Sequence, residues 1–404
     1  MRVVITPGKA AGTVAAPPSK SMAHRLLICA AMCDGVSTVK GISSCEDVAA
    51  TLDCMAALGI RAEVMGDDVT VYGKNIKTVS AAGNLHCRES GSTLRFFIPI
   101  AMLCGKNVTF TGAKSLMSRP MDVYERLADD LGLGFLSDGE KITVKGPLKS
   151  GVFTVAGNVS SQFISGLLFA LPNLSRDSRI KITPPIESRP YIDMTIAALK
   201  LFGVSAVWED EKTIFVPAKQ VYQPSVVTVE GDYSGSAFTD ALNLFGSSVA
   251  VTGLNPDSIQ GDSAYRRFYS QLDRGTPTIH IGNCPDLGPI LFAVAAAKCG
   301  GIFSGTKRLR IKESDRASAM AEELAKFGTS VTVHEDNVVV YPAAFHAPSA
   351  PIFGHNDHRI VMACAVLATL TGGEIIGAEA VKKSYPGFFD DLKALGIGVM
   401  QYED

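Results

Sequence analysis

Two cations, Lys20 and Arg25, open a helical run that is otherwise apolar: Leu26, Leu27, Ile28, Cys29, Ala30, Ala31, Met32 and Cys33 follow, behind a cap at Ser19 or Ser21. A helix with no polar face is buried on every side. Cations in its first turn oppose the helix dipole, so stability gives no reason for them. An anion does, because free N–H groups at a helix start, reinforced by cations, bind phosphate or carboxylate. One copy alone reads equally well as side chains reaching for surface carboxylates, but similar stretches begin at Ser90, Ser160, Ser234, Asp286 and Asp357. Their heads gather Lys20, Ser21, Arg25, Arg95, Ser160, Ser161, Gln162, Asp286, Asp357, His358 and Arg359. A second series of helices carries Arg119, Ser188, Arg189, Tyr191, Lys312, Glu313, Asp315, Arg316 and Lys383 at its heads. The chemistry this pattern suits is the binding of a highly anionic substrate pair, with Asp286 and Glu313 as the acid and base among the cations.

Other reactive residue types carry less. His355 and His358 lie one turn apart with no third ligand in view, so no metal site is expected. His24 reads as a packed or capping residue, and Cys29 and Cys33 as helical core. Asp315 and Asp357 are expected to orient neighbouring arginines, Arg189 and Lys382 read equally as solvated side chains or as part of the site, and Pro99 is expected to kink its helix.

The elements that must position these residues also repeat. A striped helix, a glycine, a strand, a tight turn and a second strand recur with glycines at Gly59, Gly132, Gly203, Gly328 and Gly396, at spacings of 73, 71, 125 and 68. The long interval has room for a degenerate copy ending near Gly275, which makes six units of roughly 70 residues, each a supersecondary module. Helices such as the one from Asp47 to Leu58 keep a single apolar stripe, as do Ala317, Met320, Leu324 and Phe327. Strands such as Lys141–Lys145 and 330–334 alternate apolar and polar residues, whereas one helix per unit is wholly apolar. In an ordinary doubly wound fold the parallel strands are the apolar elements. Here the apolar helices belong at the centre and the sheets outside, and three units close a prism. The fold class expected is therefore α/β, with two inside-out (inverse β-prism) domains of three pseudo-symmetric helix-and-sheet repeats and two crossovers. Units two and three span about 85–145 and 152–217, and Gln223–Asp232 interrupts the rhythm at the domain crossover. If all units share one polarity, each domain presents a basic, dipole-positive surface, and a cleft between two such surfaces suits substrates rich in phosphate and carboxylate.

The bulk numbers agree. A chain of 404 residues has room for at least two cores. Its formal net charge of −2 argues against nucleic-acid and membrane-surface roles. No apolar run approaches the roughly 18 residues that span a bilayer. MRVVITPGKA lacks both a signal core and a transit-peptide composition. Nine cysteines without a CxxC pair or zinc spacing read as reduced core residues in a cytoplasmic protein.

The residues resemble the 5-enolpyruvylshikimate-3-phosphate synthase family of enolpyruvyl transferases. The matching stretches are PPSKSMAHR, SGSTLR, SRPMDVYERL, NVSSQFISGLLFALP, ESRPYIDMT, VEGDYSGSA, CPDLGPI, RIKESDRASAM, HNDHRIVMA and KKSYPGFF, in family order from Pro17 to Phe389. The resemblance implies that the N-terminal strand joins the C-terminal domain, giving domains 19–228 and 1–18 plus 229–404. It implies transfer of the enolpyruvyl group of phosphoenolpyruvate to the 5-hydroxyl of shikimate 3-phosphate, with release of phosphate, in the shikimate pathway to chorismate and the aromatic amino acids. It implies that Lys20, Ser21, Arg25, Ser160, Ser161, Gln162, Ser188, Tyr191, Asp286 and Lys312 hold shikimate 3-phosphate. Phosphoenolpyruvate falls to Lys20, Gly91, Arg95, Arg119, Gln162, Arg316, Arg359 and Lys383. Lys20, Asp286 and Glu313 are the catalytic residues: Asp286 accepts the hydroxyl proton and Glu313 protonates the methylene carbon. No cofactor, metal, nucleic acid or membrane is implied, and a monomer is expected.

Two residues depart from the family pattern. Glu89 stands where many members have Asn, and Phe96 where Pro or Leu is common, which leaves pocket shape and inhibitor response open. The sister UDP-N-acetylglucosamine enolpyruvyl transferases are the nearest alternative. Many of them carry a reactive Cys in a loop that reads GAKSLMSRPM here. A repeat-built anion-binding or RNA-end-processing module is the alternative of another class, and the near-neutral charge and missing aromatic-basic stripe count against it.

Overall fold

A computed structural model describes residues 1–76 and 83–403. Among them the helices run α1 (Lys20–Met32), α2 (Glu46–Ala57), α3 (Gly91–Met102), α4 (Lys114–Met117), α5 (Asp122–Leu131), α6 (Ser161–Ala170), α7 (Arg189–Leu201), α8 (Tyr233–Ala241), α9 (Tyr265–Arg274), α10 (Gly288–Ala297), α11 (Arg316–Lys326), α12 (His358–Thr371) and α13 (Phe388–Ala394). The chain forms two compact units, Pro18–Glu230 and Met1–Pro17 with Gly231–Asp404. Each has its own hydrophobic core.

Within Pro18–Glu230 three four-stranded sheets share one plan. An edge strand pairs in parallel with the strand that follows the buried helix, and that strand pairs with an antiparallel hairpin. The three orders are Val226–Thr228, Gly35–Lys40, Asp68–Gly73, Arg61–Met65; then Asn84–His86, Asn107–Thr111, Lys141–Lys145, Gly134–Ser137; then Val152–Ala156, Ser178–Thr183, Thr213–Val216, Val207–Trp208. Lys141–Lys145 points Ile142 and Val144 inward between exposed lysines, as alternation requires. The apolar helices α1, α3 and α6 lie inside: Leu26, Leu27, Ile98 and Leu168 have no exposed surface. The striped helices end at the repeated glycines in left-handed geometry, as at Gly59 with φ +75°, where a side chain would be strained.

The second unit varies the plan twice. Its sheet Thr278–His280, Gly301–Ser304, Asn337–Val340, Val331–Val333 is regular. In the sheet Ile352–Phe353, Gly373–Ile376, Arg2–Ile5, Val399–Tyr402, the two hairpin positions are filled by the two chain ends. The degenerate unit has no hairpin: α9 ends at Arg274, just before Gly275, the next strand starts at Thr278, and Ser248–Thr252 pairs in parallel with Ala11–Ala15 alone. Helices α8, α10 and α12 are the buried ones, with Phe238, Leu291 and Val366 fully enclosed.

Several local expectations change. Arg25 sits a full turn inside α1 rather than at its head, because Ser19 caps the helix through the Met22 N–H. α8 is capped by Asp232, so Ser234 falls inside its first turn. Asp286 lies in a 3-10 turn, Pro285–Leu287, ahead of α10, whose Pro289 occupies an early position that needs no N–H. Val331–Val333 is half-buried throughout rather than alternating.

Candidate active site

In Pro18–Glu230 the expected residues fall into two groups. Arg25 is fully enclosed, and its guanidinium is held on three sides: Nε donates to Thr195 Oγ1 at 2.9 Å, Nη2 to the Tyr191 carbonyl at 2.9 Å and Nη1 to the Ser21 carbonyl. Burial pulls Arg25 down to about 10. Its guanidinium carbon sits 5.3 Å from the Phe96 ring centroid, so the residue that departs from the family pattern serves as a cation–π floor. Lys20, at the first position of α1, pairs with Asp47 Oδ2 at 2.8 Å, both partly buried. Ser188 is buried in left-handed geometry, φ +55°, just before α7, and Tyr191 follows in its first turn.

The second group brings Arg95, Arg119, Gln162 and Gly91 together. Arg95 Nη1 donates to Gln162 Oε1 at 2.7 Å, and Gln162 Nε2 to Ser92 Oγ at 2.9 Å. A Cβ on Gly91 would lie 2.8 Å from Arg119 Nη1, 3.3 Å from Arg95 Nη1 and 3.6 Å from Gln162 Oε1. Nε and Nη2 of the buried Arg119 have no hydrogen-bond partner among the described residues. A buried cation with unused donors is costly unless a ligand anion completes it. Ser90 caps α3, and Ser160 caps α6 through the Gln162 N–H, so both helix N-termini lie beside this cation pair.

In the other unit the hub is Arg316, which is 1% exposed. Its Nε donates to Asp357 Oδ2 at 2.8 Å, Nη1 to Asp286 Oδ1 at 2.8 Å and Nη2 to Glu313 Oε2 at 2.6 Å. Burial works against this cation, but the three carboxylates outweigh it and raise its pKa further. Asp286 also receives Lys312 Nζ at 3.2 Å and Arg359 Nη2 at 3.0 Å. Arg359 Nη1 donates to Ser234 Oγ at 2.7 Å, and Lys383 Nζ to the Asn356 carbonyl at 2.6 Å. Burial lowers the Lys312 ammonium, with Asp286 opposing the shift. The set therefore offers two partly exposed carboxylates, Asp286 and Glu313, spaced by one arginine, with Lys312 and Arg359 also on Asp286.

Residues set aside in the sequence fare unevenly. Asp357 does orient Arg316, while it also caps α12 through the Arg359 N–H. Among the described residues the Asp315 side chain meets Ser318, capping α11, rather than an arginine. Arg189 is not simply solvated but lies 4.1 Å over the Trp208 ring. His24 is buried; its Nδ1 lies 2.7 Å from Thr51 Oγ1, and burial together with Lys20 and Arg25 pushes its pKa well down. His355 and His358 form no pair: His355 Nε2 meets Glu323 Oε1 at 2.8 Å, and the buried His358 lies 3.8 Å from Asp357. Glu322 and Glu323 are carboxylates beside His355 that the helix spacing did not reveal, but Glu323 Oε2 is taken by Lys326 Nζ and the Phe353 N–H. Sequence reasoning also missed Asp47, Ser92, Thr195 and Ser234 as partners of the site. Only Ser234, one residue inside a buried helix head, carried the signal that marked the others.

Residues 4–274 and 273–392 match the family described as EPSP synthase (3-phosphoshikimate 1-carboxyvinyltransferase). A 3-phosphoshikimate 1-carboxyvinyltransferase of Clostridium perfringens (strain 13 / Type A) is 38% identical, with 100% of both chains covered. One of Clostridium beijerinckii is 39% identical, with 97% of each covered. Among solved structures, an EPSP synthase from Acinetobacter baumannii superposes with a TM-score of 0.79 at 23% identity, covering 99% of this chain and 100% of that one. The enolpyruvyl transferase NikO from Streptomyces tendae also gives 0.79, at 13% identity, with 99% and 98% covered. These two likenesses establish the two-domain inverse-prism fold.

Proposed function

The chain belongs to the EPSP synthase (3-phosphoshikimate 1-carboxyvinyltransferase) family, and on that premise we propose that it transfers the enolpyruvyl group of phosphoenolpyruvate to the 5-hydroxyl of shikimate 3-phosphate and releases phosphate. The observation that carries the reading is the Arg316 hub, which holds Asp286 and Glu313 apart on one guanidinium among further cations. Acid/base transfer on an anionic substrate needs both features.

In this reading the substrate hydroxyl oxygen attacks C2 of phosphoenolpyruvate and its proton passes to Asp286. Glu313 supplies a proton to C3, which becomes a methyl group. The C2–O bond to phosphate then breaks, the leaving phosphate takes the proton held on Asp286, and the methyl gives a proton back to Glu313 as the double bond re-forms. Shikimate 3-phosphate falls to Ser21, Arg25, Ser160, Ser161, Gln162, Ser188, Tyr191 and Lys312, with Lys20 and Asp286 shared with the reaction. Phosphoenolpyruvate falls to Lys20, Gly91, Arg95, Arg119, Gln162, Arg359 and Lys383. Arg316 joins them when an arriving carboxylate displaces Glu313 from Nη2, and Glu313, no longer paired with that cation, takes up from solvent the proton that it delivers to C3. The charge developed at C2 and on the departing phosphate falls to these cations.

Nine free cysteines fit a reducing, cytoplasmic compartment, and we assign the chain there as a monomer. No helix among the described residues is long and apolar enough to cross a membrane. The test is turnover in D2O: the product's enolpyruvyl CH2 should acquire deuterium, and Glu313→Gln should lose this incorporation together with turnover. Product formed without deuterium at C3 would overturn the assignment.

A further inference from the structure

Pro99 lies inside α3, four residues after Arg95, and so offers no N–H to the Arg95 carbonyl. That carbonyl is nevertheless satisfied, from another helix: Tyr124 on α5 donates its hydroxyl to it at 2.8 Å and shares it with the Phe163 carbonyl of α6 at 3.0 Å. Tyr124 is buried, and burial pushes its pKa well up, so the hydroxyl stays a donor. The approach depends on Gly166, since a Cβ there would overlap both the Tyr124 hydroxyl and the Arg95 carbonyl oxygen and press on Pro99. The Tyr124 ring also meets Phe163 edge-on, centroids 4.8 Å apart, and the Arg95 guanidinium carbon lies 5.1 Å from the other partner of that contact, the Phe163 ring centroid. One hydroxyl thus joins the three segments that carry Arg95, Arg119 and Gln162.

We propose that Tyr124 is a positioning residue for the anion cradle of Arg95, Arg119 and Gln162, acting through the carbonyl that Pro99 leaves open. The inference rests on the function proposed above, in which that cradle takes phosphoenolpyruvate. It explains a proline that is otherwise a defect in a buried helix: the missing backbone bond is replaced by one from α5, which ties the backbone of Arg95 to the helix that begins three residues after Arg119. A helix with its own N–H at position 99 would not need the tyrosine.

The test is a cycle of Tyr124→Phe, Pro99→Ala and the double variant, read as KM for phosphoenolpyruvate, KM for shikimate 3-phosphate and melting temperature. Tyr124→Phe should raise the phosphoenolpyruvate KM by roughly three- to ten-fold, the scale of one lost buried hydrogen bond, and move the shikimate 3-phosphate KM by less than about two-fold. Adding Pro99→Ala restores a helical donor to the Arg95 carbonyl, and the double variant should recover most of the lost affinity. Equal movement of both KM values, no movement of either, or no recovery in the double variant overturns the proposal. Should Tyr124→Phe alone not fold, Pro99→Ala is compared with the double variant. The proposal predicts the same phosphoenolpyruvate KM for both, and a loss of more than about three-fold on removing the hydroxyl contradicts it. A wild type without enolpyruvyl transfer counts against the proposed function alone. The melting temperatures then decide the inference, because Tyr124→Phe must cost less in the Pro99→Ala background and equal costs overturn it.

Discussion

Lys20 stands where a helix start favours an acid, and its bond to Asp47 does not remove the conflict with the dipole of α1. Lys20→Met should therefore leave the melting curve close to wild type while lowering kcat/KM by at least about 10²- to 10³-fold, the usual loss for a deleted charge stabiliser. A melting curve and rate both like the wild type would contradict the role given to it. Gly91 makes a separate case. Its φ is unremarkable, so Ala fits the helix, and the nearest atom to the new methyl is at the far end of the Arg119 side chain. Gly91→Ala should fold normally and weaken phosphoenolpyruvate about ten-fold by displacing that guanidinium, with shikimate 3-phosphate binding little changed; unchanged affinity in isothermal titration would refute it. The site residues were legible because polar side chains at the heads of apolar helices have no structural reason to be there. Their partners were not: Asp47, Thr195 and Ser92 lie on other elements or look like ordinary helix-start residues, and which guanidinium meets which hydroxyl is decided by tertiary packing.

At the scale of elements, the segment from Phe353 to Arg359 is held at both ends by α11. Arg316 takes Asp357, and two turns later the buried Glu323 takes the Phe353 N–H and His355. Between them His355 and Asn356 are both left-handed, φ +50° and +52°, a conformation that costs energy outside glycine. The clamp is a titratable one. The bond to Glu323 raises His355 above its ordinary value, against burial and Lys326 and with Glu322 assisting. Burial alone would raise Glu323, but its bonds from His355, Lys326 and Phe353 hold it low. A raised histidine stabilises fully below its unfolded pKa near 6.5 and stops doing so as pH climbs through the higher folded value; a depressed carboxylate stabilises above its unfolded pKa near 4.5 and stops as pH falls through the lower one. His355→Gln should accordingly cost about 1 kcal/mol near pH 6 and progressively less by about pH 9. Urea titrations at the two pH values measure this, and a cost independent of pH would rule the charged clamp out. The repeat of buried helix, strand, striped helix and hairpin was readable from hydropathy and glycine spacing. The missing hairpin after α9 showed only as one long interval, because an absent element leaves no pattern. The use of Arg2–Ile5 as a hairpin strand beside Gly373–Ile376 is a pairing across the whole chain that periodicity cannot report.

The whole molecule is expected to bind a specific pair of substrates. If shikimate 3-phosphate binds the native chain, its presence at 100 times its Kd should stabilise the protein by about 2.7 kcal/mol, seen as a rise in melting temperature that shikimate without its phosphate does not produce; no shift at saturating ligand would count against binding. The measurement that bears most directly on the central claim is phosphate release from phosphoenolpyruvate with each of two acceptors, shikimate 3-phosphate and UDP-N-acetylglucosamine, under identical conditions. The account predicts stoichiometric phosphate and enolpyruvylshikimate phosphate with the first and no release above background with the second. Release with UDP-N-acetylglucosamine, or none with shikimate 3-phosphate, would contradict it.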